Sequence, residues 1–458
     1  MKHMTLKNII SISQGIWHGD DALLDKEIQG VAIDSRKIEK DFLFVPIRGE
    51  RVDGHSFIPQ VMEKGALVTF SEENLGDVSY PYIQVESCEA SMKKLAAFYR
   101  NALDIKVVGI TGSVGKTSTK ETIASVLSQK YNVLKTEGNF NNEIGLPLTI
   151  FNIKEEHQVA VLEMGIDHFG EMHNLATMSQ PDICVITNIG LAHMENLGSR
   201  DGILKAKTEC FDHLKDNASV ILNGDDDKLS TVGEVQGKAP IFFGLCDDNN
   251  SWASDIVNLG LRGTTCTLHL GEDTLDVHIP IAGIHMVYNA LAAASCGKVL
   301  GLTLEEIKAG IASMKTIAGR NNLIETKDLL IIDDCYNANP VSMKSSLDVL
   351  ATATGRQVAI MGDMFELGAN EAELHYNTGA YAAEKDIHVI CCIGSLSKEA
   401  YNGAKAVAKD SAVLYFETKQ DFLDKIANVI KKDDTILVKA SNGMKFTEIV
   451  ETLKNMEL

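Results

Sequence analysis

The densest chemistry in this 458-residue sequence is the run Gly109-Ile110-Thr111-Gly112-Ser113-Val114-Gly115-Lys116-Thr117-Ser118-Thr119. An apolar strand leads into it, and a helix reaching Leu127 leads out. Glycine lets backbone N–H groups approach phosphate oxygens, and the start of a helix adds partial positive charge. In that setting the Lys116 ammonium reaches β- and γ-phosphates, and the Thr117 hydroxyl ligates Mg²⁺. The spacing G-x-x-x-x-G-K-[ST] needs glycine at position 110, where Ile110 stands, so the loop is T-G-x-x-G-K-T. Thr111, Gly112, Ser113, Val114, Gly115, Lys116, Thr117 and Ser118 form the expected phosphate cradle. Glu163 ends the apolar run Val159-Ala160-Val161-Leu162, and His193 follows Thr187-Asn188-Ile189-Gly190. Open α/β sheets bind ligands at the carboxyl ends of their strands. Beside a phosphate loop, both residues become candidates to hold the cation; alone, each would read as an ordinary strand-end residue.

These residues need a parallel sheet to position them, and the periodicity supplies one. Residues 1 to about 100 mix short strands (30–34, 42–46, 82–85) with helices, ending in a helix over 90–103. From Ile105 apolar strands alternate with helices (106–111, 158–163, 183–188, 219–223), which indicates βαβ units. Residues 246–281 alternate like a β meander, with strands over 264–270 and 274–279. A third zone repeats the strand–helix pattern, with strands at 329–334, 357–363, 388–394, 412–416 and 435–440 and helices over 371–384 and 419–431. The fold class is α/β with three domains. Residues 1–100 form a small mixed α/β domain, and 101–316 a P-loop-type mononucleotide-binding domain with a mainly parallel sheet. Residues 317–458 form a Rossmann-like doubly wound domain.

Composition narrows the partners. Lys and Arg total 43 against 63 Asp and Glu, a formal charge of −20, which argues against a nucleic-acid or anionic-membrane binder. Polyanionic small molecules would then depend on a few placed groups. The nine cysteines form no CxxC pair and read as reduced core thiols of a cytoplasmic protein. No stretch approaches the length of a membrane span, and the first residues show no signal-peptide pattern.

Together these runs resemble the Mur ligase family, ATP-dependent amino-acid-adding enzymes of peptidoglycan synthesis. The phosphate loop looks like that family's ATP loop. The run Gly138-Asn139-Phe140-Asn141-Asn142-Glu143-Ile144-Gly145-Leu146-Pro147 is similar to its substrate-contacting asparagine loop, with Asn139, Asn141 and Asn142 as the contacts. Asp333-Asp334-Cys335-Tyr336-Asn337-Ala338-Asn339-Pro340 and Gly362-Asp363-Met364-Phe365-Glu366-Leu367-Gly368 resemble segments of the member that adds D-alanyl-D-alanine.

The resemblance implies further roles. Ser35 and Arg36, with Arg48, Asp53, Gly54 and His55, look like the uridine-nucleotide segment, although a solvated charged turn is the plainer reading. Glu39-Lys40-Asp41 replaces a Pro-Gly turn common in the family, a change expected to concern the turn alone. Lys207 matches a lysine carbamylated by CO₂ to N6-carboxylysine, which would join Glu163 and His193 around a second Mg²⁺ beside the one at Thr117; Lys205 is the competing assignment. Asn289, Arg320, Asp334, Asn337 and Asn339 match nucleotide contacts. Lys439 and Ser441 match a substrate loop, but Asn442 stands where the family has arginine. His375 and Gly379 follow the family's H-x-x-x-G spacing, against a helix-surface histidine. The catalytic set would be Lys116, Glu163, His193, Lys207 and Arg320.

The implied reaction uses ATP and Mg²⁺ to join D-alanyl-D-alanine to UDP-N-acetylmuramoyl-tripeptide through an acyl phosphate, in a monomer. Rivals are a sister ligase, a folylpolyglutamate-type synthetase, and a nucleotide-dependent switch without transfer chemistry. Whether the third peptide residue is lysine or diaminopimelate stays open at this point.

Overall fold

The computed structural model describes residues 1–49 and 51–458; Glu50, inside the 48–55 segment, lies outside the described residues. Twenty strands form three sheets in chain order. The first holds β1 (Ile16–His18), β2 (Gly30–Ala32), β3 (Phe42–Phe44), β4 (Val68–Ser71) and β5 (Tyr82–Gln84), ordered β1-β5-β4-β3-β2. Only β1 runs antiparallel to its neighbour. The turn before β3 places Asp41 at φ 62° and ties its carboxylate to Lys26 at 3.0 Å. Asp tolerates that left-handed backbone, so the 39–41 segment acts as a turn.

The central sheet has nine strands: β6 (Lys106–Thr111), β7 (Val133–Lys135), β8 (Val159–Glu163), β9 (Ile183–Ile186), β10 (Ser219–Asn223), β11 (Ile241–Gly244), β12 (Ser251–Asn258), β13 (Thr264–Leu270) and β14 (Asp273–Ile279). Their order is β14-β13-β12-β11-β10-β9-β6-β8-β7. The strands from β7 to β12 pair in parallel. Helices cover both faces of its middle strands, so β8 and β9 are buried throughout and apolar but for the terminal Glu163. The meander expected over 246–281 is β12–β14, an antiparallel extension of the same sheet. There β13 alternates buried and half-buried positions because one face is partly open to water.

The helix Cys88–Ala102, two residues longer at its start than expected, belongs to both neighbours. Leu95 and Ala96 are buried in a core shared by the first and second sheets. Tyr99 Oη donates to Ile153 O at 2.6 Å, and buried Arg100 reaches Ser179 O, Gln180 O and the Asp182 carboxylate. The last sheet holds β15 (Asn322–Glu325), β16 (Leu330–Asp333), β17 (Gln357–Gly362), β18 (Val389–Ile393), β19 (Ala412–Phe416) and β20 (Thr435–Lys439). Its order is β15-β16-β20-β17-β18-β19, parallel except for β15. The single helix expected over 419–431 is two short ones, Lys419–Leu423 and Ile426–Val429. Thr418 and Asp421 form a capping box that starts the first, and an intervening turn redirects the chain.

Eight of the nine cysteines are buried; Cys246 is exposed, in the loop after β11, so it departs from the core-thiol expectation. No helix is long and apolar enough to cross a membrane among the described residues.

Candidate active site

The phosphate loop begins where β6 ends. Gly115 sits at φ 84° and opens the helix Lys116–Leu127 without a side-chain cap, leaving first-turn N–H groups available to a ligand. A Cβ on Gly112 would lie 1.9 Å from Thr187 Oγ1, so that approach requires glycine. The loop is fastened to the end of β9. Ser113 N donates to Asn188 O, and Val114 N donates to Asn188 Oδ1 at 2.9 Å. Val114 O in turn accepts from Thr187 Oγ1 and Asn188 Nδ2. Thr187 and Asn188 therefore position the loop, a role that the sequence reading did not assign. The available signal was two polar residues directly after an apolar strand on the sheet edge that carries the loop.

Lys116 folds back on its own loop, its Nζ donating to Gly112 O at 2.8 Å. Burial lowers its pKa, against the pull of Glu163. Glu163, only 2% exposed, ends β8. Its Oε1 accepts from Asn141 Nδ2 at 2.8 Å, while buried Oε2 has no hydrogen-bond partner among the described residues. The nearest cation, buried Lys120, stands 3.8 Å away and spends its proton on Thr136 O at 2.6 Å. An orphaned carboxylate oxygen in a dry site suits a hard divalent cation, and Thr117, one residue past the loop lysine, brings a hydroxyl to the same cleft.

The helix Arg200–Thr208 separates the two candidate lysines. Lys207 lies one turn after Ile203 on the buried face, and Lys205 is exposed. Lys207 is 1% exposed and its Nζ has no partner among the described residues. Burial, then the nearby Lys116 charge, push its pKa well below the usual lysine range. His193, at φ 60°, faces Glu366 through Nδ1 at 3.3 Å. Burial, then Lys116 and Lys207, hold its pKa down to about 4.

Two clefts meet here. A cleft of about 440 Å³ is lined by Ser113, Val114, Gly115, Lys116, Thr117, Ser118, Glu163 and Asn289 from the central sheet's side. Arg320, Asp334, Asn337, Asn339 and Lys439 line it from the last sheet's side. A second cleft, about 430 Å³, is lined by Asn142, Glu143, Asp167, Glu171 and His193. Lys116 and Asn141 stand on the walls of both.

Several sequence-selected residues have internal partners in this arrangement. Asn289 Oδ1 accepts from Thr119 Oγ1 at 2.9 Å. Arg320 lies over the Tyr336 ring at 4.1 Å, held by Gly319 N donating to Asp333 Oδ2. Asp334 pairs with buried Lys439 at 2.5 Å and accepts from Ser346 Oγ. Asn339 caps the helix Pro340–Ala351, and Asn142 Oδ1 accepts from Gly145 N at the start of Gly145–Phe151. Ser441 Oγ accepts from Phe365 N and donates to Ala338 O, so the 439–442 loop is knitted to its neighbours. Asn139 is exposed.

His375 is buried, contrary to the surface reading. Its Nδ1 donates to Glu371 O and its Nε2 accepts from Met364 N, which fixes the 362–368 loop. Gly379 lets the helix Ser397–Val407 approach, since a Cβ there would meet Ala400 O at 1.8 Å.

The first sheet's candidates stand apart from both clefts. Asp34 caps the turn Ser35–Lys37 and takes a two-pronged bond from Arg36, which holds its carboxyl down at about 2. Arg48 faces Asp53, Glu72 and Glu73. His55 pairs with Asp53 at 2.7 Å, and Asp53 caps Gly54–Phe57. Thr111, at the end of β6, and Lys207 are buried and line neither cleft.

Comparison with known proteins adds identity to this geometry. Residues 27–102 match the model for the Mur ligase family catalytic domain, 110–297 the Mur ligase middle domain, and 319–442 the Mur ligase glutamate ligase domain. The chain is 38% identical to the UDP-N-acetylmuramoyl-tripeptide–D-alanyl-D-alanine ligase of Bacillus subtilis, over 98% of each chain. It is 34% identical to the Escherichia coli enzyme of the same name, over 99% of each. A MurF crystal structure from Acinetobacter baumannii superimposes with TM-score 0.91 at 32% identity, covering 99% of each chain. MurF from Thermotoga maritima in complex with ADP gives 0.83 at 29%, covering 93% of this chain and 97% of that one. Escherichia coli FolC gives 0.60 at 18%, over 80% of this chain and 93% of that one, a likeness of fold alone. The chain belongs to the Mur ligase family.

Proposed function

We infer that this chain is an ATP-dependent ligase that joins D-alanyl-D-alanine to UDP-N-acetylmuramoyl-tripeptide, giving the pentapeptide, ADP and phosphate. The observation that carries the chemistry is that Lys116 and Asn141 belong to both clefts, so a nucleotide in one and an acid in the other meet beside Glu163. The relatives' printed names supply the substrates.

The tripeptide's terminal carboxylate attacks the γ-phosphate, forming an acyl phosphate and releasing ADP. The dipeptide's amine then attacks the acyl carbon, and phosphate leaves as the tetrahedral intermediate collapses. The protein performs little covalent chemistry here; it aligns the reactants and meets developing negative charge. Lys116 and the loop amides serve the transferring phosphoryl group, and Arg320 serves it from the last domain. Thr117, Glu163, His193 and Lys207 would hold Mg²⁺, which supplies charge neutralisation on the phosphates. The buried, unpartnered Lys207 amine, whose charged form burial disfavours, suits addition of CO₂, which forms an N–C bond, releases a proton and turns a buried base into a carboxylate-like anion.

Within this reading, residues 1–100 take the UDP-sugar peptide, 101–316 the ATP, and 317–458 the dipeptide. Ser35, Arg36, Arg48, Asp53, Gly54 and His55 serve the first task, with Asn139, Asn141 and Asn142 at the peptide end and Lys439 and Ser441 at the dipeptide. Asn289, Asp334, Asn337 and Asn339 serve the nucleotide. The enzyme acts as a cytoplasmic monomer. Phosphate release from ATP with UDP-N-acetylmuramoyl-tripeptide, measured with and without D-alanyl-D-alanine, tests the reading. Turnover independent of the dipeptide would overturn it, and running lysine and diaminopimelate tripeptides side by side assigns the third residue.

A further inference from the structure

A pair of histidines outside both clefts carries chemistry that the ligase reaction does not use. His173 lies on the helix Glu171–Ser179, and His213 ends the 3-10 turn Glu209–His213 that follows Lys207. Their Nε2 atoms face each other at 3.2 Å, with the rings edge to face. On the far side of His173, Nδ1 lies 3.3 Å from Asp212 Oδ2. A carboxylate there holds the proton on Nδ1, which aims the Nε2 lone pair at His213. Two N–H groups cannot face each other at that distance, so His213 must either lend its proton to a shared hydrogen bond or present a second lone pair. Burial and the neighbouring His173 lower the His213 pKa, which favours the neutral ring. The side chain of His173 is half exposed, so a solvated ion can reach the pair.

We propose that His173 and His213 form an accessory site for an imidazole-favouring divalent transition metal, with Asp212 as the carboxylate that orients His173. Two convergent imidazoles suit Zn²⁺, Ni²⁺ or Cu²⁺ and disfavour Mg²⁺, which prefers oxygen. Glu209 braces the same spot without facing the ring nitrogens; its carboxylate accepts from Gly170 N and His173 N. A bound ion would staple the helix that starts at the second cleft's Glu171 to the segment six residues beyond Lys207.

Isothermal titration of the full chain with Ni²⁺, in excess Mg²⁺, provides the test. His173→Gln with His213→Gln should remove one Ni²⁺ per chain. Asp212→Asn, which leaves both ligands in place, should weaken that site by about 10–100-fold. Binding should release protons and weaken as pH falls. Thermal melts of the variants check folding. Equal isotherms for wild type and the double variant would overturn the site, and the pair would then be a proton-sharing contact only. An unchanged Asp212→Asn affinity would overturn the role of the carboxylate.

Discussion

Two charged regions of this molecule make opposite use of their charges. Near the phosphate loop, Glu163 Oε2 and Lys207 Nζ are buried and lack partners among the described residues. In the first domain, Arg36 holds Asp34, Arg48 faces three carboxylates, and His55 pairs with Asp53. Burying a polar atom without a hydrogen bond is costly, so such atoms beside the phosphate loop favour an incoming group that relieves them. The first-domain groups satisfy one another, and the exposed pairs such as Arg48–Glu73 gain little by it. An unpaired buried group therefore points to a ligand more strongly than a cluster of charges does.

The sharpest way to break this comparison is Lys116→Ala. It should cut kcat by on the order of 10³-fold while the protein still folds, since a preorganised group that meets transition-state charge is worth about that much. A steady-state phosphate-release assay measures it. Lys207→Ala should cost about 10²-fold or more, with partial rescue by added acetate or formate. Absence of rescue, with activity intact at low CO₂ in the parent enzyme, would count against the carbamate. Lys205→Ala is the control and should leave kcat near the parent value.

A smaller effect concerns His193. Its folded pKa, about 4, lies below the usual 6.5 because burial and the lysines disfavour the imidazolium. The unfolded chain thus binds a proton that the folded one refuses between those values. Stability from this group is present above pH 6.5 and lost as pH falls through 4, by up to about 3 kcal/mol. Urea unfolding of wild type and His193→Gln should show the variant less pH-sensitive in that window; equal slopes would contradict the assignment. The smallest effect belongs to Arg36→Ala. An ion pair this exposed contributes little to stability, so the melting temperature should scarcely move. Any loss should appear in the KM for the uridine nucleotide, with kcat unchanged.

The phosphate loop was legible because its function is local. Strand, glycine turn, lysine and helix follow one another in the chain, so the motif shows even though Thr187 and Asn188 fasten it. Glu163 was legible as a strand-end residue for the same reason, whereas His193 lies beyond β9, at the start of the short helix Met194–Leu197. The β12–β14 extension was half legible: its alternation marked a meander, but nothing local said that it joins the central sheet. Thr187 and Asn188 went unassigned because their partners lie more than 70 residues away. His375 looked like a surface residue because its 2.9 Å partner, the Met364 amide, sits in another loop.

The sequence by itself determined the α/β class, the order of the strands along the chain and the phosphate chemistry. These rest on periodicity and on contacts between near neighbours. Tertiary structure put Lys207 in the core and Lys205 in water, since two residues on one helix turn into core or water according to what packs against it. It also showed that Asn339 caps one helix and Asn142 accepts from the first residue of another, while each lines a cleft. Finally, it reduced the −20 charge to its proper scope. Most of those carboxylates face water or a paired cation, where screening keeps their influence short. The site's electrostatics are local: Lys116 feels Glu163 and Arg320, and Lys207 feels Lys116, a grouping that is a property of the fold.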